Sequence, residues 1–420
     1  MIRSLTMGLP LDRMSSASIE NGVSRLVREA HDVLAPRGLS PRTLRLTLPA
    51  SGPEEEAEGA LLSRLRWVNA LARTVGARWF CVPLDLVVAG PRHGRLAAVL
   101  DAVVRFDKMF LNLIIAADEK IAVNAVDDVA RLVLDVSRKS NNGFDNFRVG
   151  ASCNCPPNAP FFPFSRHEGC DIAFSFALET TPLAMQALAT IDAPHDPALV
   201  RDRLVTVLTP HLASIDELGR SLAERSEARY CGMDASFAPM PLDAVSVAAL
   251  VEHITGAPIG SHGSVLATSF LTDAVRTAIR RSGARGVGFN GVMYSILEDP
   301  ALAAANNKRR ISLDALMVLC AVCACGLDMV PVPGLSFPEE IGALVLDVAA
   351  LSCAFHKPLG VRVLPIPDGH VNDFTRLNLD FLCDSRVVAL SSNDRRMQTT
   401  EHAVGLRSPR VDVRMSEPKP

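Results

Sequence analysis

No long basic run and no basic–aromatic stripe occurs in this 420-residue chain, and its charge is nearly even, at 43 Lys and Arg against 46 Asp and Glu. A nucleic-acid partner therefore has no electrostatic footprint here. Every uncharged run is broken by Gly, Pro or a charged residue before it is long enough to cross a bilayer, so no membrane partner is expected. Residues 1–11 carry Arg3 and no apolar core leading to a small-residue cleavage site, so they do not read as a signal peptide. The glycine-rich stretch Gly286–Gly291 fits neither G-x-G-x-x-G nor G-x-x-x-x-G-K-[ST], which leaves tight turns, not phosphate cradling, as its reading. No repeat at a fixed period and no interdomain linker is visible. The ten cysteines are scattered through apolar segments, as at Cys81, Cys320, Cys323 and Cys353. That is the pattern of reduced, buried thiols, and it points to the cytoplasm.

What is present is ample material for a core, with 48% hydrophobic residues and a slightly positive mean hydropathy. Short apolar runs alternate with amphipathic stretches. Strands are expected at 4–9, 43–48, 79–82, 109–115, 147–153, 171–178, 229–235, 286–292, 327–332 and 361–364. Helices are expected at 16–35, from Ser51 onward, between 82 and 109, and at 127–137, 199–225, 243–255, 265–282, 312–325 and 336–355. About ten strands, each followed by a helix, imply parallel pairing with right-handed crossovers. An eight-fold barrel fills about 250 residues, so this chain has room for a larger barrel or two sheets. We take residues 1–390 as one α/β domain and residues 391–420 as a polar, extended or disordered tail.

One segment stands out: Asn154 to Glu179, NCPPNAPFFPFSRHEGCDIAFSFALE. Its prolines fix φ and remove donors, so it is neither helix nor central strand. An apolar loop of this kind is expected to line or cover a cavity, with Asn154, Phe161 and Phe162 touching the ligand and His167 delivered to it. His167 suits proton transfer, or else caps a turn. Glu179, Asp234 and Asp328 follow strand-like runs or lie at their edges, where barrels collect acids, bases and metal ligands, although capping and ion pairing use the same residues. His262, between glycines and ahead of a helix, could help hold an anion, and Asn290 could donate to an oxyanion. Cys153-Asn-Cys155 and Cys320-x-x-Cys323-x-Cys325 invite a zinc reading. Against it, the first spacing is C-x-C and the second group lies in an apolar helix, where cysteine is usually a core residue. A thiol nucleophile is the other use, at Cys155 beside His167 or at Cys323.

The order of several phrases resembles one family. Ile2-Arg-Ser-Leu-Thr-Met-Gly8 opens the chain, and the loop at Pro160–Gly169 and then Glu179 follow. After these come Asp234 with Ala238-Pro239, Gly260-Ser-His-Gly263, Asn290-Gly291, Cys323-Ala-Cys-Gly-Leu-Asp-Met329, Val330-Pro-Val-Pro-Gly334 and Lys357-Pro-Leu-Gly-Val-Arg-Val-Leu-Pro365. Over nearly all of residues 1–390 this resembles the Domain-of-Unknown-Function 711 family. The resemblance implies a single barrel of ten strands, akin to the pyruvate formate-lyase and anaerobic ribonucleotide reductase fold. It does not imply radical chemistry, because the nearest phrase to a glycyl radical loop, Val404-Gly-Leu406, has no flanking aromatic. The chain also reads Asp380-Phe-Leu-Cys-Asp384 where the family pattern has a Pro-Tyr-Leu-Thr-Asn-like phrase.

The expected function is non-radical acid–base chemistry, of lyase or hydrolase type, on a small oxygen-rich metabolite. His167 would be the acid or base, with Asp234 or Glu179 as its partner, and Asp328 would add a third carboxylate. His262 and Asn290 would hold the oxyanion. A metal-dependent hydrolase, with a divalent ion on His167, His262 and the carboxylates, is the second reading, and a non-catalytic ligand-binding or scaffolding barrel is the third. No cofactor is otherwise expected, and a homodimer is.

Overall fold

The alternation of apolar runs and amphipathic stretches becomes one large mixed sheet clothed in helices. The computed structural model describes residues 2–11, 13–50, 58–89, 93–191, 195–391 and 404–406. In chain order the elements are β1 (Ile2–Gly8), α1 (Ser16–Leu34), β2 (Pro41–Thr47), α2 (Glu58–Thr74), β3 (Trp79–Asp85), α3 (Leu86–Ala89), α4 (His93–Arg105), β4 (Met109–Ala117), β5 (Lys120–Ile121), α5 (Val126–Lys139), β6 (Val149–Cys153), β7 (Ala173–Leu178), α6 (Thr181–Leu188), α7 (Pro197–Ser226), β8 (Arg229–Asp234), α8 (Val247–Thr255), α9 (Ser264–Ser282), α10 (Pro300–Asn307), α11 (Leu313–Cys320), β9 (Gly326–Pro333), α12 (Pro338–Ala354), β10 (Leu359–Ile366) and β11 (Val404–Gly405). The helix start expected at Ser51 lies outside the described residues.

Local chemistry sets the helix ends. The Ser15 side chain caps α1 by accepting from Ser18 N, and Ile19, Val23, Leu26, Ala30 and Val33 form its buried stripe. Helix α5 begins with Asp127 and Asp128 and ends with Arg138 and Lys139, each charge facing the favourable end of the dipole. Ser312 caps α11 as expected, but that helix stops at Cys320 instead of running to Cys325. The buried ammonium of Lys357 explains the early stop. It donates to the carbonyls of Cys320 (2.9 Å), Ala321 (3.1 Å) and Cys323, taking the acceptors a further turn would need.

Hydrogen-bonded strands follow the order β8-β7-β1-β2-β3-β4-β6-β10-β9, with β5 paired to β4 and β11 to β5 in an 11-stranded sheet. Strands β1, β2, β3, β4 and β6 are mutually parallel, as are β7 with β8 and β10 with β9. The expectation of parallel pairing throughout fails at two seams, since β1 meets β7 and β6 meets β10 antiparallel. The first exception has a plain cause. Residues 154–172 carry no helix, so β7 is not delivered by a βαβ crossover and returns beside β1 in the opposite sense.

The ladder is an open path with β8 and β9 at its ends. The stretch expected as a strand at Gly286–Val292 joins no ladder. Its residues and their neighbours instead make isolated parallel bridges, Met233 to Gly286 and Phe237 to Val292 on the β8 side and Ser295 to Asp328 on the β9 side. Of the expected tail, Val404–Gly405 pairs antiparallel with β5, and residues 392–403 and 407–420 lie outside the described residues. Among the described residues no helix is long and apolar enough to cross a membrane.

Candidate functional site: an arginine-lined cavity beneath the proline-rich loop

The loop from Asn154 to Ile172 lies along one face of the sheet, and its carbonyls serve as acceptors for donors on successive strands. Thr6 Oγ1 donates to Pro160 O (3.1 Å), Cys81 Sγ to Pro163 O (3.1 Å) and Ser165 O (3.3 Å), and Asn112 Nδ2 to Ser165 O (3.3 Å). From the other flank Ser175 Oγ donates to Asn158 O (2.8 Å). Gly150 and Gly360 bring β6 and β10 against the Phe164 ring, which a Cβ at either position would strike. At these positions the strand face turned toward the loop is small or polar, and the aromatic rings of Trp79 and Phe110 stand beside them.

His167 is held where the loop leaves the sheet. Its N–H donates to Leu48 O (2.8 Å), its Nδ1 is 3.2 Å from Asn158 Oδ1, and its ring fills the space a Cβ on Gly8 would need. Burial, with help from Arg229, pulls its pKa down to about 4, so the imidazole is neutral at neutral pH.

Beneath the aromatic part of the loop lies a cavity of about 80 Å³. Arg3, Arg45 and Arg362 reach it from β1, β2 and β10, with Glu298, Asp328 and Cys325 beside them and Trp79, Phe110, Phe147, Phe161, Phe162 and Phe164 as walls. An outer chamber of about 210 Å³ shares Arg3, Arg45, Trp79, Phe147 and Glu298 and adds Arg42, Arg78, Met240 and Phe381.

The three guanidinium groups differ in their partners. Arg362 is fully engaged: Nε and Nη2 grip Asp328 at 2.6 and 2.8 Å, Nη2 lies 3.4 Å from Glu298, and Nη1 donates to Phe147 O at 2.9 Å. Burial raises the Asp328 pKa against the opposing pull of Arg362. Arg45 is sandwiched 5.2 Å from the Trp79 and Phe162 ring centres, and donates to Thr43 Oγ1 (3.1 Å) and Pro160 O (3.4 Å). Arg3 donates to Pro239 O (3.0 Å) and sits 5.7 Å from the Phe161 ring. Among the described residues neither Arg3 nor Arg45 pairs with a carboxylate. Burial lowers both pKa values, that of Arg45 to about 9, with Arg3 as the next cause.

Of the residues expected to form the site, Phe161, Phe162 and Asp328 line this cavity. Glu179, buried at the end of β7, has Arg42 Nη2 2.9 Å from both its oxygens, next to the outer chamber. Asp234 is enclosed by donors: Ser236 N (3.0 Å), Ser236 Oγ (2.5 Å), Phe289 N (2.7 Å) and Asn290 N (3.1 Å). It stitches the end of β8 to the 288–291 turn, as does Asn290, whose Oδ1 accepts from Ala235 N (2.9 Å). Asn154 anchors the loop's start through Ser352 Oγ (2.9 Å). His262 is exposed ahead of α9 and lines none of the chambers described above. His167 and Glu179 are not brought together. One sits at the Gly8 end of β1 and the other at the Ile2 end, roughly 20 Å apart at ~3.3 Å per residue.

The cavity-lining residues that the sequence reading missed include Arg3, Arg45, Arg362, Trp79 and Glu298. Their signal was available: an arginine between apolar neighbours in a strand, as in Leu44-Arg45-Leu46 and Val361-Arg362-Val363, is a permanent charge in a run that otherwise buries. All ten cysteines are free. Among the described residues no group of three or more His, Cys, Asp or Glu side chains is arranged to hold a metal ion.

The profile of the family described as "Uncharacterised ACR (DUF711)" matches residues 1–378, and the chain belongs to this family. Relatives include a UPF0210 protein of Pyrobaculum arsenaticum, 31% identical over 63% of this chain and 58% of its own length. One from Methanopyrus kandleri is 28% identical over 77% of this chain and 73% of its own, and one from Thermoanaerobacter sp. is 25% identical over 87% and 85%. The chain thus spans 58% of the length of the Pyrobaculum arsenaticum relative it matches.

Proposed function

We propose that this DUF711 chain takes a small, oxygen-rich anion into the arginine-lined cavity and acts on it by non-radical acid–base chemistry of lyase or hydrolase type. One observation carries the reading: among the described residues the buried Arg45 and the partly buried Arg3 have no carboxylate as ion-pair partner. A charge taken out of water costs several kcal/mol unless a counter-charge meets it. A ligand carboxylate or phosphate supplies that charge, and planar guanidinium groups suit its geometry.

Asp328, whose pKa burial raises, and Glu298, whose side chain has only Arg362, at 3.4 Å, as partner among the described residues, are the proton-transfer groups beside that anion. In this reading His167 positions the loop, because its Nδ1 is tied to Asn158 and its ring packs on Gly8. We extend the proposal to the architecture. The bridges of residues 286–295 to β8 and β9 support a ten-stave barrel, made of two five-strand parallel sets that meet antiparallel at both seams.

Calorimetry with inorganic phosphate and a panel of mono- and dicarboxylates tests the binding site. Arg3→Gln and Arg45→Gln are each expected to weaken the tightest binder at least about tenfold, the loss of one charge-assisted contact. Undiminished affinity in both variants sinks the assignment. Turnover of that binder in the wild type, lost in Glu298→Gln, separates an enzyme from a binding protein.

A further inference from the structure

The two chambers carry more positive charge than a single carboxylate would answer. Arg3, Arg42, Arg45, Arg78 and Arg362 reach their walls. The carboxylates that meet these groups are Asp328 and Glu298, both on Arg362, and Glu179 on Arg42. Among the described residues Arg3, Arg45 and Arg78 pair with no carboxylate, so five guanidinium groups face three acids and two positive charges remain unanswered. The Trp79 ring sets their layout. Trp79 opens β3, its register partner in β2 is Arg45, and Arg78 precedes it in the chain. The guanidinium carbon of Arg45 lies 5.2 Å and that of Arg78 4.7 Å from the Trp79 ring centre, so the two are at most about 10 Å apart. Arg45 is buried and reaches both chambers, whereas Arg78 is exposed and lines the outer one. One ring thus carries an inner and an outer cation, and the shared walls of the chambers lie between them.

We propose that the outer chamber is a second anion subsite with Arg78 as its specificity-determining residue, so that the ligand is a short linear dianion. One carboxylate sits in the inner cavity on Arg3 and Arg45, and a second carboxylate or a phosphate sits at the mouth on Arg78. The inner end rests on the proposed function, and the outer end is the addition. Size agrees with this division. At about 30 Å³ for each water-sized group, the inner cavity of about 80 Å³ takes about three groups, which is one carboxylate, and the outer chamber of about 210 Å³ takes about seven. The ligand therefore has about ten non-hydrogen atoms at most, the size of a dicarboxylate of three to six carbons. Charge agrees as well, because a dianion matches the two unanswered positive charges. A monoanion held in the inner cavity leaves Arg78 to water, so the second charge is where such a site discriminates between ligands.

Calorimetry on the full-length protein at low salt tests this with malonate, succinate, glutarate and adipate, each beside its half-amide, which keeps the shape and loses one charge. The best diacid is expected to bind about fivefold tighter than its half-amide, the size of a solvent-facing ionic contact. Arg78→Gln should bring that ratio to about one and leave the half-amide affinity as in the wild type, and Arg78→Lys should keep most of the ratio. A wild-type ratio near one for every pair, or a ratio that survives Arg78→Gln, overturns the second subsite. If the half-amides then still bind, and lose that binding in Arg45→Gln, the inner anion site stands without it. Absence of binding by every compound removes both. The acid 3-phosphonopropionate separates the two outer groups: tighter binding than succinate, lost in Arg78→Gln, assigns a phosphate to the mouth, and weaker binding assigns a carboxylate.

Discussion

Replacing Arg45 by Met asks the structure directly whether its buried charge is kept for a ligand. Met keeps an unbranched apolar stem as far as the ε position beside Trp79 and Phe162, and removes the charged head. In the folded chain, burial and the proximity of Arg3 bring the Arg45 pKa from 12.5 to about 9, which corresponds to about 5 kcal/mol of disfavoured charge. Because the folded value lies below the unfolded one, that cost is fully present below pH 9 and falls away only as pH rises beyond it, so it operates undiminished at pH 7. The stacked rings and the bonds to Thr43 and Pro160 return part of it, about 1 kcal/mol for each contact. The net expectation is that Arg45→Met is more stable than the wild type by about 1 kcal/mol without ligand. Urea unfolding at pH 7, with and without the anion found by calorimetry, is the assay. The wild type should gain about 2.7 kcal/mol at a hundred times Kd, and the variant should gain little. A variant that is less stable without ligand, and is protected by the anion as much as the wild type, refutes the reasoning: Arg45 would then be a structural cation satisfied by the protein itself.

Two further outcomes follow from the same geometry. Asp328→Asn removes the bidentate partner of Arg362 and leaves a buried guanidinium facing only Glu298, so urea unfolding should show a loss of about 3 kcal/mol, mostly recovered in the double variant with Arg362→Met. A loss under about 0.5 kcal/mol would mean that the pair holds nothing together. His167 has a folded pKa of about 4 against 6.5 unfolded, so acid favours the unfolded chain, and stability should fall by up to about 3 kcal/mol as pH drops from 6.5 toward 4. His167→Gln should flatten that part of a melting-temperature series between pH 7 and 4.5, and parallel curves would contradict the assigned burial.

Much of the element order was legible because burial writes periodicity into the chain. The all-apolar run Met109–Ala117 and the buried stripe of α1 could be read without a structure. The antiparallel seams could not, because strand direction depends on what joins the strands, and the segment after β6 carries no crossover helix. Nor was the centre of the site legible. The sequence reading looked for chemistry in histidines and strand-end carboxylates, but Asp234 spends all its bonds on backbone and Ser236, and His262 stands in solvent. The arginines were passed over because their significance is the missing counter-ion, and a missing partner is a property of three dimensions. The proline-rich loop was correctly suspected of covering a cavity, and Phe161 and Phe162 do line one.

The polar lining of the strand face beneath that loop has a consequence for the order in which the chain is made. Thr6, Arg45, Cys81 and Asn112 all leave the ribosome before Pro160, Pro163 and Ser165, the residues whose carbonyls they finally meet. The partners of Phe164 at Gly360 and of Asn154 at Ser352 come later still. Contacts of such sequence separation form slowly, so the first five strands wait with one face uncovered. Its hydroxyl, thiol, amide and guanidinium groups can spend that wait bonded to water and dilute the apolar surface of Trp79 and Phe110, where a leucine-lined face would seek another nascent chain.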